Sequence, residues 1–312
     1  MSNERRDIHQ QITDQIITAI EAGAGEFCLP WHRPKGSLTR PTNIASGNAY
    51  QGVNVLTLWV AAEAKGFPAG LWGTYRQWQA KGAQVRKGEK ASLVVFYKEL
   101  DVQREDAATG ETTDSRVLLA RASPVFNVAQ VDGYALPDAA PPPPSSFDVV
   151  ARAEALMRNS GALIYEGGDR AFYRPVDDSV HLPDRGRFTG TDTMSAQEAF
   201  YATSFHELTH WTGAKHRLDR AFGNRFGSRA YAFEELVAEL GASYLCAEVG
   251  VTTSLRPDHA AYIAHWLDIM RADKKAIFTA ASAAQRAADF LIAFLPTRPS
   301  PACGTAPSPE PI

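Results

Sequence analysis

Two histidines four residues apart, with a glutamate after the first, are the best-equipped residues of this chain for chemistry. They lie in His206-Glu207-Leu208-Thr209-His210. On a helix, positions i and i+4 share one face, so both imidazoles can grip a single metal ion. Glu207 then stands close enough to act as general base toward a water at that ion. Ser195 followed by Glu198 is a capping box, Phe200, Tyr201 and Phe205 supply buried bulk, and Gly213 is a stop, so a helix is expected here. A tetrahedral zinc site needs a third protein ligand and keeps a fourth position open. The stretch Tyr231 to Gly241 reads as a second helix with Glu234, Glu235 and Glu239 on an apolar background. Glu235 is assigned as the third ligand, with Glu234 as the competing candidate. Glu239, one turn on, can accept the free N–H of a ligand histidine. Tyr231, one turn before Glu235, can help stabilise an oxyanion. Zinc suits this donor set best, and manganese or cobalt could use the same ligands. A magnesium nuclease would draw on carboxylates rather than paired imidazoles.

The elements that must position these residues are helical after a short run of strands. A helix is expected over 147–159, strands over 162–165, 171–174 and 179–182, and further helices over about 257–270 and 273–295. His181 alternates with Val180 and Leu182 and reads as an exposed strand residue, not a ligand. The strand just before the metal helix is expected at a cleft edge, where a peptide could add as another strand. Residues 296–312 are Pro/Ser/Ala-rich and read as a disordered tail.

The first half has a different character. Residues 4–22 carry isoleucines at helical spacing. Asn54 and Thr74 are candidate helix caps. Residues 84–100 read as a turn and a strand, 101–114 as a polar mobile tip, and 117–131 as one or two more strands. Residues 30–98 hold ten Lys/Arg against only Glu63 and Glu89, interleaved with nine aromatic residues. Cations that track phosphates and rings that stack on unpaired bases are what a single-stranded nucleic-acid site needs. Trp59 and Trp78 fall in helical patterns and are expected in the core. The contact candidates are Trp31, Arg33, Tyr50, Trp72, Tyr75, Arg86, Lys87, Lys90 and Lys98.

The run LPDAAPPPPSS forms a stiff spacer between these halves. The expected organisation is therefore α+β in two domains able to fold separately. These are a small α+β single-strand-binding domain at 1–136, a Pro-rich linker at 137–146 and a metallopeptidase domain at 147–295. No apolar run is long enough to span a membrane. A polar start without a secretory leader and three scattered cysteines (Cys28, Cys246, Cys303) point to the cytoplasm and away from a cysteine–zinc cluster.

Several blocks, taken together and in order, resemble the ArdC family of antirestriction proteins: PWHRP (30–34), SGNAYQGVN (46–54), VRKGEKASLVVFY (85–97), HELTHWTG (206–213) and EELVAELGASYLC (234–246). The resemblance implies an N-terminal domain that binds single-stranded DNA and a zincin-like metallopeptidase domain. It also implies protection of incoming plasmid DNA from host restriction during conjugation; a protein of the host restriction system is the candidate substrate, which the sequence itself does not name. His206, Glu207 and His210 match the family's metal and base positions. The alternative is a single-strand-coating module whose metal site is structural or unneeded for protection.

Overall fold

The computed structural model describes residues 7–24, 39–67, 70–105, 112–134, 146–190, 194–220, 229–251 and 260–295. Trp31, Arg33, the Pro-rich spacer up to 145 and the tail from 296 lie outside them.

Helix α1 (Ile8–Ala24) forms where the isoleucine spacing asks for it, and Ile12, Ile16 and Ile20 are fully buried along one stripe. The strands β1 (Thr42–Asn43), β2 (Leu71–Gly73), β4 (Ser92–Glu105) and β5 (Thr112–Asn127) make a four-stranded sheet in the order β1-β2-β5-β4. β4 and β5 pair antiparallel all the way from Ser92↔Val125 to Glu105↔Thr112. The tip expected over 101–114 is thus paired strand at 101–105 and 112–114, and residues 106–111 lie outside the described residues. A small second pair, β3 (Gln84–Val85) with β6 (Val131–Asp132), closes over helix α3 (Tyr75–Ala80). Thr74 caps α3 in a full capping box with Gln77.

Asn54 is no cap. Helix α2 (Val53–Lys65) has Gly52 at its N-cap, at φ +56°, where L residues are strained. Asn54 instead points across to β4. Its amide donates to the Val95 carbonyl (2.8 Å) and its carbonyl accepts from the Val95 N–H (2.7 Å). A buried amide that satisfies both groups of an edge-strand residue fastens helix to sheet.

The second half begins with α4 (Ser146–Asn159) and a three-stranded sheet of β7 (Leu163–Glu166), β8 (Phe172–Arg174) and β9 (Ser179–Leu182) in the order β7-β9-β8. β9, the strand nearest in sequence to the metal helix, is therefore central, and β7 and β8 are the edges. The cleft-edge expectation placed the wrong strand outside. His181 is partly buried on β9, stacked between the Tyr165 and Phe172 rings at 5.2 and 4.6 Å. Helices α5 (Ala196–Thr212), α6 (Arg229–Val249), α7 (Ala260–Ala272) and α8 (Ala276–Ile292) complete the fold.

The halves share one continuous apolar core, from Ile12 and Trp59 through Tyr244 to Leu291. α1 lies on α7, and α2 on α8. Gln285 on α8 accepts from Arg40 Nη2 (2.7 Å) and from the Gly52 N–H (3.1 Å), and the Tyr244 hydroxyl of α6 donates to the Gly52 carbonyl (3.1 Å). The expectation of two units folding separately meets a buried face that each half gives the other. Among the described residues, no helix is long and apolar enough to cross a membrane.

Candidate metal centre

The centre is built by two packed helices. α5 starts with the expected capping box, Ser195 accepting from the Glu198 N–H while Glu198 accepts from the Ser195 N–H. Beyond its first turn the helix is buried almost all round: Phe200, Tyr201 and every residue from Thr203 to Thr212. Neighbours on every side therefore hold its rotation fixed. His206 and His210 fall on one face, one turn apart. Their Nε2 atoms stand 3.2 Å from each other, with the rings close to perpendicular (79°).

α6 brings the carboxylates. Glu235 Oε2 lies 3.5 Å from His206 Nε2, and Oε1 lies 3.6 Å from His210 Nε2. His206, His210 and Glu235 each offer one donor atom, all within 4.8 Å of one another. A tetrahedral ion with metal–nitrogen bonds of about 2.0–2.1 Å spaces its ligand atoms roughly 3.3 Å apart. The two imidazoles and the carboxylate fit that spacing, so the residues present suit a divalent cation. Glu207, also buried, follows His206 on the same helix.

Glu234 is spoken for elsewhere. Arg220 donates to both of its oxygens, at 3.1 and 2.8 Å, and to the Thr209 carbonyl and the Thr212 hydroxyl of α5. Glu234 Oε1 in turn lies 3.3 Å from His210 Nδ1. With Nε2 turned to an ion, Nδ1 carries the proton and donates to Glu234, which fixes ring and tautomer. The role expected of Glu239 thus belongs, for His210, to Glu234. Glu239 Oε2 lies 3.8 Å from His206 Nδ1, an ion-pair separation rather than a hydrogen bond. Tyr231 hydrogen-bonds Glu235, and its hydroxyl is held protonated by burial and by the Glu235 charge.

The electrostatics ask for positive charge. Burial lowers the His210 pKa, but the Glu234 hydrogen bond and the charges of Glu235, Glu234 and Glu207 outweigh it, and the net shift is upward. Burial raises the Glu235 carboxyl, and the histidines overcome that and bring it down to about 2. A cation among these carboxylates supplies the charge that protons otherwise supply, so its binding releases protons.

The first-half candidates divide. Trp72 is 1% exposed on an inner strand, its ring edge-on to Phe67, and offers no face to a base. Tyr50 is 6% exposed, with its hydroxyl accepting from Asn43. Both are core residues, which corrects their reading as stacking rings. Arg86 is exposed but engaged by Glu89, Asp132 and the Ala129 carbonyl, so it ties the β3–β6 corner together. Tyr75, Lys87, Lys90 and Lys98 are all exposed, and the Tyr75 hydroxyl accepts from Gln84 Nε2 (2.8 Å). Trp59 and Trp78 are buried, as expected.

Residues 6–126 match the family model described as the N-terminal domain of anti-restriction factor ArdC, and residues 151–283 match the zincin-like metallopeptidase model. The uncharacterized protein y4eC of Sinorhizobium fredii is 49% identical over 288 residues, covering 91% of each chain. The metal-free crystal structure of ArdC from the R388 plasmid superposes with a TM-score of 0.71 at 38% identity, covering 92% of this chain and 97% of that one. This chain belongs to the ArdC antirestriction family. A Mn(II)-bound structure of the R388 ArdC matches at TM-score 0.70 and 36% identity, covering 92% of this chain and 98% of that one. The DNA primase TraC of Escherichia coli is 36% identical over 316 residues, which cover 94% of this chain and 28% of the primase.

Two positions of this ArdC family member escaped the sequence reading. Arg220 carries no periodic signal, because it follows the end of α5. Gly241 lies mid-helix in α6, and a Cβ there would meet Thr209 Cγ2 at 2.5 Å. Its signal was a glycine where helix propensity disfavours one, which marks close packing.

Proposed function

We propose that this protein is a divalent-metal-dependent peptidase joined to a single-stranded-DNA-binding half, and that it protects incoming DNA from restriction. The observation that carries the peptidase reading is the convergence of His206, His210 and Glu235 beside Glu207. Zinc is the proposed ion, given two imidazoles and one carboxylate, with manganese or cobalt as substitutes. When bound, such an ion polarises a carbonyl and makes a water more acidic. Glu207 takes the proton of the attacking water and delivers it to the leaving amine nitrogen. Glu234 and Arg220 hold the His210 ring, and Tyr231 steadies Glu235. An oxyanion role for Tyr231 would require its hydroxyl to turn from Glu235 to the substrate.

Family membership, the exposed cations of the first half and the likeness to a DNA primase support the DNA-binding reading. Cytoplasmic action during conjugation, and a protein of the restriction system as substrate, complete the proposal. The test compares wild type with Glu207→Gln in a plasmid-transfer assay into restricting and non-restricting recipients, with metal content measured on both proteins. The variant should keep its metal and lose protection. Full protection by a metal-loaded Glu207→Gln protein would instead leave a DNA-coating module.

A further inference from the structure

The β4–β5 hairpin has two unlike faces. On one, Tyr97 is anchored, its hydroxyl 3.0 Å from His9 Nε2 of α1, and His9 packs edge-on against Phe278. On the other, the register places Phe96 directly opposite Arg121, and Lys98 opposite Leu119. Side chains alternate along a strand, so these four share the face turned away from Tyr97. All four are exposed, Phe96 by 52% and Leu119 by 41%.

A lysine on an edge strand guards against unwanted strand pairing, and Lys98 alone would need no further account. Phe96 beside it works the other way, because an exposed ring on an edge invites association. A phenyl ring flanked by a guanidinium and an ammonium fits one partner chemistry: an aromatic base on a phosphate chain. Bases stack on the ring or the guanidinium plane while the cations take the phosphates. A duplex hides its base faces, so the fit is to single strands.

We propose that a single-stranded nucleic acid lies across this face, with one base stacked on Phe96 and backbone phosphates at Arg121 and Lys98. This rests on the single-strand-binding reading above and names the surface that performs it. None of the four residues lies in the metal centre, so the surface can be tested without disturbing the site.

The test uses the full chain and a dye-labelled oligothymidine of about 20 nucleotides, followed by fluorescence anisotropy over a salt series. Phe96→Ala should weaken binding about tenfold, the loss expected when one base no longer stacks. Phe96→Trp should hold or improve it. Arg121→Gln should lower the salt slope by about one phosphate contact. Unchanged metal content would show that each variant is folded. If wild type binds and Phe96→Ala and Arg121→Gln bind equally well with the same slope, the surface lies elsewhere and this inference is overturned. If wild type does not bind at all, the DNA-binding reading falls with it.

Discussion

At the scale of single residues, the centre depends on a division of labour between adjacent glutamates. Glu235 faces both imidazole Nε2 atoms, whereas Glu234 is clamped by Arg220 behind His210. Two substitutions should therefore differ. Glu235→Ala removes a donor atom and should abolish stable metal binding. Glu234→Gln keeps all three donors but loosens one ring, and should weaken metal affinity by about 10–100-fold. Competition against a chelator of known affinity measures both, and equal losses would contradict the assignment. A pH effect belongs to this scale too. Asp178 accepts from Arg217 and from the Tyr173 hydroxyl, and the Arg217 hydrogen bond, opposed by burial, leaves its pKa below the ordinary value. A depressed carboxyl pKa stabilises the fold at pH above the unfolded value, about 3.9, and that stability is lost as pH falls through the folded value. Asp178→Asn should thus lower the melting temperature at neutral pH and flatten its decline in acid. An unchanged acid limb would show that the ion pair contributes nothing.

At the scale of elements, the two site helices must approach closely. Gly241 provides the room, since a Cβ would strike Thr209 one residue before His210. Gly241→Ala should push α5 from α6, costing about 1–3 kcal/mol from overpacking and weakening metal binding. Adding Thr209→Ala should recover part of both losses. No recovery in denaturant melts of the double variant would place the clash elsewhere. This packing also explains what the sequence could and could not disclose. The pairing of His206 with His210 was legible because it is a property of one helix. The choice between Glu234 and Glu235 was not, because neighbours on a helix point about 100° apart and only the rotation of α6 against α5 decides between them. Tyr50 and Trp72 failed for a similar reason. Interleaved rings and cations look the same in sequence whether a ring faces solvent or an inner-strand core. Asn54 reads as a cap until the β4 backbone it serves is in place.

At the scale of the whole molecule, the two matched domains of this α+β chain share one continuous apolar core. Tyr244 carries a hydrogen bond from the ligand helix α6 to Gly52 at the head of α2, and Gln285 bonds to the same glycine. Calorimetry of the metal-free protein should therefore give a single transition with equal calorimetric and van't Hoff enthalpies, and two resolved transitions would show independent domains. The central claim remains that one divalent ion is held by His206, His210 and Glu235. Crystals soaked in zinc and measured at the zinc absorption edge test it most directly. One anomalous peak is predicted between the two Nε2 atoms and the Glu235 carboxylate, and it should vanish in Glu235→Ala. A peak on Glu234 instead, or none at saturating zinc, would contradict the account.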